Sequence, residues 1–413
     1  MTPFIEYLEH EIRRASLPQR AREAGECATA DGRLCPLCHA RDLPYDAETR
    51  IRNAALQAFW PQAGAGIPLE PLVSSAPGRG YRSVTKRKVF AELHGARIGL
   101  IETGPDGRSR PLPVQRCAIE PRSHAEVYRV VQAKLDKPYA KPLAASLRHV
   151  VVKGGMEEQT VIFTVDELSQ PLTHAMNTLS KSLTHELPTV VSVFLYVDDA
   201  SGSHYFGARD ARKRPVFRRV FGKGEVRERA CGLQFFFHPL SFSQVNPFVI
   251  DRFVTGIGDA LELAKTQFLY DLYCGYGLFG LCLAARVKGV LGVEMSPLSV
   301  ESATANAARM GMTNARFLRS DLTPEAVHKA MARATPADVA IVDPPRNGTG
   351  EGVIEAVAMH DLARVAHLFC EIDLMPKEIA RWKRHGYRPA RAIPYDMFPG
   401  TNEAEIAVVF VKA

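Results

Sequence analysis

The sequence predicts an α/β protein in which a doubly wound parallel sheet over residues 241–413 follows an α+β region. Two observations support this prediction. After about residue 245, apolar strand-like runs such as QFLYDLYC, GVLGVEMS and DVAIVDPP alternate with helical lengths. Between 145 and 240, short apolar strands surround one helix. With 413 residues, 46% of them hydrophobic, the chain can bury two or three cores.

The elements can be predicted in chain order. Residues 4–15 have the spacing of an amphipathic helix, a cysteine-rich loop covers 27–38, and AETRIRNAALQAFW has helical spacing again. A Gly/Pro-rich stretch follows at 61–80. The runs LRHVVVKGG, QTVIFTV, TVVSVFLYV and LQFFFHPLSF predict mainly antiparallel strands around a helix near 171–186. The later runs ARFLRSD, HLFC, YRPARAIPYD and IAVVFVKA complete the second sheet.

Composition narrows the class of protein. We find no long uninterrupted apolar run, and the start MTPFIEYLEHEIRRA lacks the apolar stretch of a signal peptide, so we expect a soluble, cytoplasmic protein without a membrane role. The net charge of +7 and pI near 9.0 favour a polyanionic partner. Basic residues cluster at 78–88, 109–116 and 208–229, where they could bind phosphates or equally form a solvated surface.

The segment DLYCGYGLFG predicts a nucleotide site at the end of the first strand of the second sheet. Gly275 and Gly277 allow a tight turn, and Glu294 ends the next strand, where its carboxylate could accept hydrogen bonds from ribose hydroxyls. Gly280 completes a dinucleotide-type spacing, so glycines alone do not exclude NAD. Asp343, in the DPPR segment at the end of the fourth strand, favours a methyltransferase, because a D/N-P-P sequence there is a trait of those enzymes.

Cysteines form one cluster in the sequence. Cys27, Cys35 and Cys38 are closely spaced, and Cys117 could supply a fourth thiolate, a set that suits either zinc or an iron–sulfur cluster. The spacing of the other cysteines before Cys370 indicates no partners, and we predict that they are core or loop residues: Cys231, Cys274 and Cys282.

The ordered segments FSQVNP, DLYCGYGLFG, GVEMSPLSVESATANA, DPPRNG and DMFPGTNEAE resemble the bacterial RNA uridine-C5 methyltransferases that modify 23S ribosomal RNA and the T-loop of transfer RNA. The resemblance covers nearly the whole chain. It implies a Rossmann-like class I methyltransferase domain that depends on S-adenosylmethionine. It also implies that the cofactor contacts Gln244, Tyr273, Glu294 and Asp343, beside the glycine turn of Gly275 and Gly277.

The same resemblance implies catalytic roles for Cys370 and Glu405. C5 of uracil is a poor nucleophile until a thiolate adds to C6, and a base must later remove the C5 proton. Cys370 keeps the family spacing to GY and DMFP, although Phe369 and Glu371 replace the usual serine and asparagine. An adjacent carboxylate should raise the thiol pKa. Glu403 is the alternative base.

Ribosomal members of the family carry a 4Fe-4S cluster on a short cysteine triplet and one distant cysteine, which implies such a cluster on Cys27, Cys35, Cys38 and Cys117. We therefore expect an iron–sulfur region over 1–125, an RNA-recognition region over 126–240 and a methyltransferase domain over 241–413. We expect 23S ribosomal RNA as the partner and a monomer. The alternatives are transfer RNA, amino methylation of a purine, and a non-catalytic iron–sulfur RNA-binding protein.

Overall fold

A computed structural model describes residues 2–15, 20–29, 31–92, 95–104, 106–198 and 215–413. Two seven-stranded sheets dominate these residues. The helices are α1 Phe4–Arg14, α2 Tyr45–Phe59, α3 Arg122–Leu135, α4 Lys141–Ser146, α5 Gln170–Glu186, α6 Ile250–Ala260, α7 Leu278–Leu283, α8 Pro297–Arg309, α9 Pro324–Ala330, α10 Val353–Ala358 and α11 Met375–Arg384. In the described part of the chain, no helix is both long and apolar enough to span a membrane.

The first sheet has the order β3-β2-β1-β4-β5-β6-β7. Its strands, with the separate β8–β9 hairpin that follows, are β1 Val84–Glu92, β2 Gly95–Thr103, β3 Ser109–Leu112, β4 Leu147–Gly154, β5 Gln159–Val165, β6 Val190–Val197, β7 Phe217–Gly222, β8 Val226–Ala230 and β9 Leu233–Phe237. Every pairing is antiparallel except β5 with β6, which α5 connects as a crossover. Helices α3, α4 and α5 bury one face of this sheet.

The second sheet has the order β12-β11-β10-β13-β14-β16-β15. Its strands are β10 Phe268–Leu272, β11 Gly289–Glu294, β12 Ala315–Arg319, β13 Val339–Val342, β14 Arg364–Phe369, β15 Tyr387–Tyr395 and β16 Glu405–Lys412. The first five in sheet order are parallel, and β16 inserts antiparallel between β14 and β15. The α/β prediction for this half is therefore confirmed.

The second sheet is buried on both faces, which explains why its strands are continuous apolar runs. In β13, Ala340 and Val342 face one core, whereas Val339 and Ile341 face the other. Helices α1 and α2 pack in the first of these cores, with Phe4 and Phe59 in edge-to-face contact 5.8 Å apart. The predicted 1–125 region is thus divided between the two sheets. Its helices α1 and α2 cover the second sheet, and its strands β1, β2 and β3 belong to the first.

Candidate active site

The carboxyl ends of the parallel strands bring the predicted site residues to one edge. Leu272 pairs with Val293 on one side and with Val342 on the other. The residues that directly follow these three are Tyr273, Glu294 and Asp343, so their positions are aligned by strand register. An open α/β sheet binds its ligands at this edge.

The glycine turn after β10 has the geometry that the sequence predicts. Gly275 and Gly277 have φ of 53° and 88°, in the left-handed region that favours glycine. A Cβ built on Gly275 would meet nothing within 4 Å, so a ligand can approach this backbone. The Glu294 carboxylate accepts hydrogen bonds from the N–H of Gly275 at 3.3 Å and of Ser296 at 2.7 Å. These bonds join the turn to the end of the next strand.

Tyr273 is held in a rarely adopted conformation. Its φ is 65°, although it is not glycine, and its N–H donates to the Val293 carbonyl at 3.0 Å. Burial raises the pKa of its phenol, whose oxygen accepts a hydrogen bond from the Gly350 backbone. The side chain thereby reaches from the glycine turn to the loop after DPPR. Backbone strain of this kind persists where the surroundings fix it, often at functional sites.

Gln244 lies on the half-buried segment between β9 and α6. Its carbonyl accepts a hydrogen bond from the Ser83 hydroxyl at 3.4 Å, and the neighbouring Val245 carbonyl accepts one from the Ser83 N–H at 2.8 Å. These contacts anchor the segment to the start of the first sheet. The contact of Gln244 with a cofactor stays a prediction.

An acid that the sequence analysis missed lies beneath this edge. Asp271 is fully buried in β10, where Oδ2 accepts a hydrogen bond from the Gly280 N–H at 2.9 Å. Its Oδ1 has no hydrogen-bond partner among the described residues. Burial, together with the charges of Asp343 and Glu294, raises the pKa of Asp271 to about 7. The available signal was a carboxylate inside an apolar strand, FLYDL, where a buried charge is costly.

Cys370 and Glu405 lie opposite each other at the end of an antiparallel pair. The last register position of β14 with β16 is Phe369 with Ile406, and one further step places Cys370 across from Glu405. Burial raises the pKa of the Cys370 thiol, and the charges of Glu405 and Asp343 raise it further. Glu405 is 4% exposed, and burial raises its pKa well above the usual range.

Phe369 and Glu371, which flank Cys370 in place of the usual serine and asparagine, lie in different environments. Phe369 turns into the core, where its ring stacks on His367 with centroids 4.1 Å apart. Alternation along β14 therefore directs the next side chain, Cys370, away from that core. The carboxylates that act most strongly on the thiol are Glu405 and Asp343, rather than the adjacent Glu371.

Glu403 has a different environment from Glu405. Its Oε1 lies 2.6 Å from Nη1 of Arg346, and the Arg346 guanidinium lies 5.9 Å from the centre of the Phe398 ring. The charge of Arg346 also opposes the increase in the Cys370 pKa. Glu403 is thus held by a cation at the rim, whereas Glu405 is buried beside the thiol.

The loop that leads to Glu405 is held by helix α2. Arg52, 1% exposed, donates hydrogen bonds to the carbonyls of Thr401 and Glu403, both at 2.5 Å. Its Nε lies 3.1 Å from the buried Asp396 carboxylate, which also accepts a hydrogen bond from the Tyr45 hydroxyl at 2.9 Å. The N-terminal region therefore positions the loop that carries both candidate bases.

The structure brings the four predicted metal-ligating cysteines into one small apolar cluster: Cys27, Cys35, Cys38 and Cys117. Each sulfur accepts a backbone N–H, from Ala118, Leu37, Ala40 and Ile119 respectively. Burial is the main cause that raises the pKa of all four thiols. Among the described residues, no group of three or more His, Cys, Asp or Glu side chains has the arrangement of a metal site.

Much of the predicted basic surface is neutralised. Arg79 lies 2.6 Å from Glu48, and the buried Arg87 lies 2.6 Å from Glu120, so these two residues of the 78–88 run have structural roles. In 109–116, Arg110 and Arg116 pair with Asp106 and Glu23. Residues 208–214 of the third run lie outside the described residues. The rest of that run covers β7, the turn that follows it and β8, and Arg218 and Arg219 of β7 are exposed.

Comparisons with known proteins agree with this geometry. The family model for tRNA (Uracil-5-)-methyltransferase matches residues 208–413. An uncharacterized RNA methyltransferase of Listeria innocua is 26% identical over 395 residues, covering 92% of this chain and 82% of the relative. One of Listeria monocytogenes is 28% identical over 392 residues, covering 91% and 81%.

Among solved structures, the fold is similar to that of the tRNA (uracil-54, C5)-methyltransferase of Pyrococcus abyssi, crystallised with S-adenosyl-L-homocysteine. The TM-score is 0.66 at 21% sequence identity, over 92% of this chain and 87% of the other.

Proposed function

Because the chain belongs to the tRNA (uracil-5-)-methyltransferase family, we propose that it methylates C5 of a uridine in RNA with Cys370 as nucleophile and Glu405 as base. Dependence on S-adenosylmethionine and RNA methyltransferase activity follow from the family. The covalent route is our proposal. The observation that supports it is the opposition of Cys370 and Glu405 across β14 and β16.

The chemistry of uracil requires both groups. S-adenosylmethionine supplies a methyl group that is electrophilic because it is bonded to a sulfonium. The Cys370 thiol loses its proton and adds to C6, which places electron density on C5 for methyl transfer. Glu405 as carboxylate then takes the C5 proton, the C5–C6 double bond re-forms, and the thiolate leaves. An extruded uridine would present C6 to Cys370 at this edge of the sheet.

The acidic lining of the site suits a cationic cofactor. Burial raises the pKa of Asp343 to about 7, and the charges of Asp343 and Glu294 act on Asp271 in turn. A positive charge bound nearby favours the ionised form of each carboxylate. We propose that Glu294 binds the ribose hydroxyls, while Asp343, Tyr273 and Gln244 hold the rest of the cofactor over the turn of Gly275 and Gly277.

A nucleophile test separates uridine C5 chemistry from amino methylation of a purine. Cys370→Ala should abolish methyl transfer and the formation of a covalent protein–RNA adduct, while S-adenosylhomocysteine binding persists. Cys282→Ser, which replaces a thiol on α7, is the matched control and should keep both activities. Full methyl transfer by Cys370→Ala, without an adduct in the unsubstituted protein, would overturn the proposal. Cofactor binding without methyl transfer to any RNA would favour the non-catalytic alternative.

We propose 23S ribosomal RNA as the target, on the resemblance to the ribosomal members that carry an iron–sulfur cluster, with transfer RNA as the alternative. The Pyrococcus abyssi structure is named for uridine 54 of tRNA, which is why transfer RNA is kept as the alternative. Mapping 5-methyluridine in both RNAs from a deletion strain should show loss at a 23S position. Loss in the T-loop alone would assign the tRNA target instead.

We propose that the edge strand β7 contacts this RNA within the 126–240 recognition region, in a monomeric enzyme. Arg218 and Arg219 are exposed, and Phe221 between the basic residues is 41% exposed, so phosphates and a base could both be contacted. Arg218→Ala should weaken RNA binding and lower the slope of log affinity against log salt by about 1. An unchanged slope would show that β7 does not contact the RNA.

We also propose a 4Fe-4S cluster on the four clustered cysteines within the 1–125 region. The proposal is supported by the chemistry of the donor set, because four thiols lie in one apolar cluster and each accepts a backbone N–H. Anaerobically purified protein should contain about four iron and four sulfide per chain. One bound zinc would assign a zinc site, and absence of any metal would overturn the proposal.

A further inference from the structure

Two cysteines that sequence spacing leaves without partners are in contact. Cys231 lies in the turn between β8 and β9, and Cys282 lies in α7. Their thiols form a hydrogen bond, and Sγ of Cys282 also lies 3.9 Å from the carbonyl oxygen of Ala230. Both thiols are free and partly exposed. Sequence spacing gives no sign of this contact, because the packing of the β8–β9 hairpin on α7 is a long-range contact.

The turn presents Cys231 in an unusual backbone conformation. Cys231 and Gly232 have φ of 51° and 74°, the pattern of a two-residue hairpin turn in which Asn-Gly is the preferred sequence. A cysteine in the left-handed region is uncommon. The Cys231 N–H donates to the Asp251 carboxylate at 2.7 Å, which fixes the turn against α6. The thiol is thus held toward Cys282 by backbone bonds.

The hydrogen bond between the two thiols shifts their pKa values in opposite directions. The pKa of the Cys231 thiol is lowered because its sulfur accepts the hydrogen bond from Cys282, whose own pKa is raised. A partly exposed thiol of lowered pKa beside a second thiol is the arrangement found at redox-sensitive cysteines. The nearby Asp251 carboxylate acts in the opposite direction on Cys231, but more weakly than the hydrogen bond.

We propose that Cys231 and Cys282 form a reversible disulfide when the protein meets a peroxide. The Cys231 thiolate attacks one peroxide oxygen, the O–O bond breaks, and water leaves after protonation, which yields a sulfenic acid. The Cys282 sulfur then displaces the sulfenic oxygen as a second water and forms the S–S bond. Two thiols lose two electrons and two protons, and hydrogen peroxide is reduced to two waters. A dithiol reductant reverses the bond by exchange.

The disulfide would lie directly behind the glycine turn. Tyr276 of that turn donates a hydrogen bond to Glu228 in β8 at 2.7 Å, and its ring stacks on Phe237 in β9 with centroids 4.3 Å apart. Helix α7, which carries Cys282, begins immediately after Gly277. Because an S–S bond brings the sulfurs closer than a hydrogen bond does, oxidation draws α7 toward the hairpin and shifts the turn. This consequence rests on the proposed cofactor site.

Peptide mapping tests the bond itself. The full-length protein is treated with hydrogen peroxide, its remaining thiols are alkylated, and its peptides are analysed by mass spectrometry without reduction. We expect a peptide pair joined through Cys231 and Cys282 that dithiothreitol separates, and that neither Cys231→Ser nor Cys282→Ser forms. Recovery of both residues alkylated, or of Cys231 oxidised alone, would overturn the proposal.

Calorimetric binding of S-adenosylhomocysteine tests the coupling to the cofactor turn. Oxidation should weaken binding several-fold in the unsubstituted protein, with recovery on reduction, and should leave Cys282→Ser unchanged. Equal affinity of the oxidised and reduced proteins would show that the disulfide does not act on the turn. If methyl transfer to uridine fails altogether, the joined peptide is still expected, so the two proposals are tested separately.

Discussion

The thiol at the sheet edge and the four thiols of the N-terminal cluster are all buried or half-buried, but their neighbours differ in charge. Around Cys370, the strongest influences after burial are the carboxylates of Glu405 and Asp343. Around Cys27, Cys35 and Cys38, the strongest influence after burial is a backbone N–H instead, whereas at Cys117 the Glu120 carboxylate acts more strongly than the Ile119 N–H. Carboxylates disfavour a resting thiolate, whereas N–H donors favour one. The carboxylates around Cys370 would keep the proposed nucleophile protonated until the RNA binds. The N–H donors around the cysteine cluster would favour thiolates that stay bound to the proposed iron.

Glu405→Gln removes one of the two carboxylates that act on Cys370, and it should have the largest effect on the methylation rate. Without the base, methylation should slow by about 10²- to 10⁴-fold, and the covalent RNA adduct should accumulate after methyl transfer. Because Glu405 raises the Cys370 pKa, the substitution should also shift thiol alkylation to lower pH. Glu403→Gln is the matched control, since its carboxylate pairs with Arg346. A larger loss in Glu403→Gln would assign that residue as the base.

Cys117→Ser tests the other environment. Loss of one ligand should remove the iron and its visible absorption, and should reduce the free energy of unfolding by about 4 kcal/mol. Cys231→Ser, which lies outside the cluster, should keep both. A Cys117→Ser protein with full iron content would show that the fourth ligand is another residue.

Arg52 of α2 holds the loop that leads to Glu405, so its substitution tests how the acidic side of this comparison is positioned. Arg52→Ala should lower kcat about tenfold, with a smaller effect on KM, because the loop of Thr401 and Glu403 loses three polar contacts. Arg52→Lys should restore part of kcat. Arg50→Ala is the control on the same helix, since the Arg50 side chain is 70% exposed. Equal losses in kcat for the Lys and Ala variants would argue against a positioning role.

Asp271→Asn should have the smallest effect, and it depends on pH. The pKa of Asp271 is about 7 in the folded protein and about 4 in an unfolded chain, so the folded state binds its proton more tightly. Stability from this proton is complete below about pH 4 and is lost as pH rises to about 7. Asn should therefore raise the unfolding free energy at pH 8 by roughly 1–3 kcal/mol and leave it unchanged near pH 4.

Thermal unfolding of Asp271→Asn at both pH values measures this difference. Asp259→Asn, on an exposed side chain of α6, should behave like the unsubstituted protein. An equal gain at both pH values would assign the effect to packing.

The sequence predicted those elements that depend on residues close together in the chain. The buried strands of the second sheet and the turn of Gly275 and Gly277 could be read from apolar runs and glycine spacing. The opposition of Cys370 and Glu405 could not, because it depends on β16 inserting between β14 and β15. Family resemblance alone paired these two residues.

Long-range packing explains the other differences from prediction. The sequence predicts a basic surface at 78–88, but Arg79 and Arg87 form ion pairs with Glu48 and Glu120, each more than 30 residues away in the chain. The contact of Cys231 with Cys282 likewise arises where a hairpin meets a helix. Local spacing carries no information about such contacts, since each is set by the docking of separate elements.

The close approach of the cysteine loop to the base-carrying loop has an evolutionary consequence. The Ala40 N–H donates to the Gly400 carbonyl at 3.2 Å, and a Cβ on Gly400 would lie 2.4 Å from the Ala40 Cβ. Neither position can gain a side-chain atom unless the other loop retreats. We expect residues 40 and 400 to covary across related sequences, so that a lineage that loses one small residue must also rebuild the partner loop.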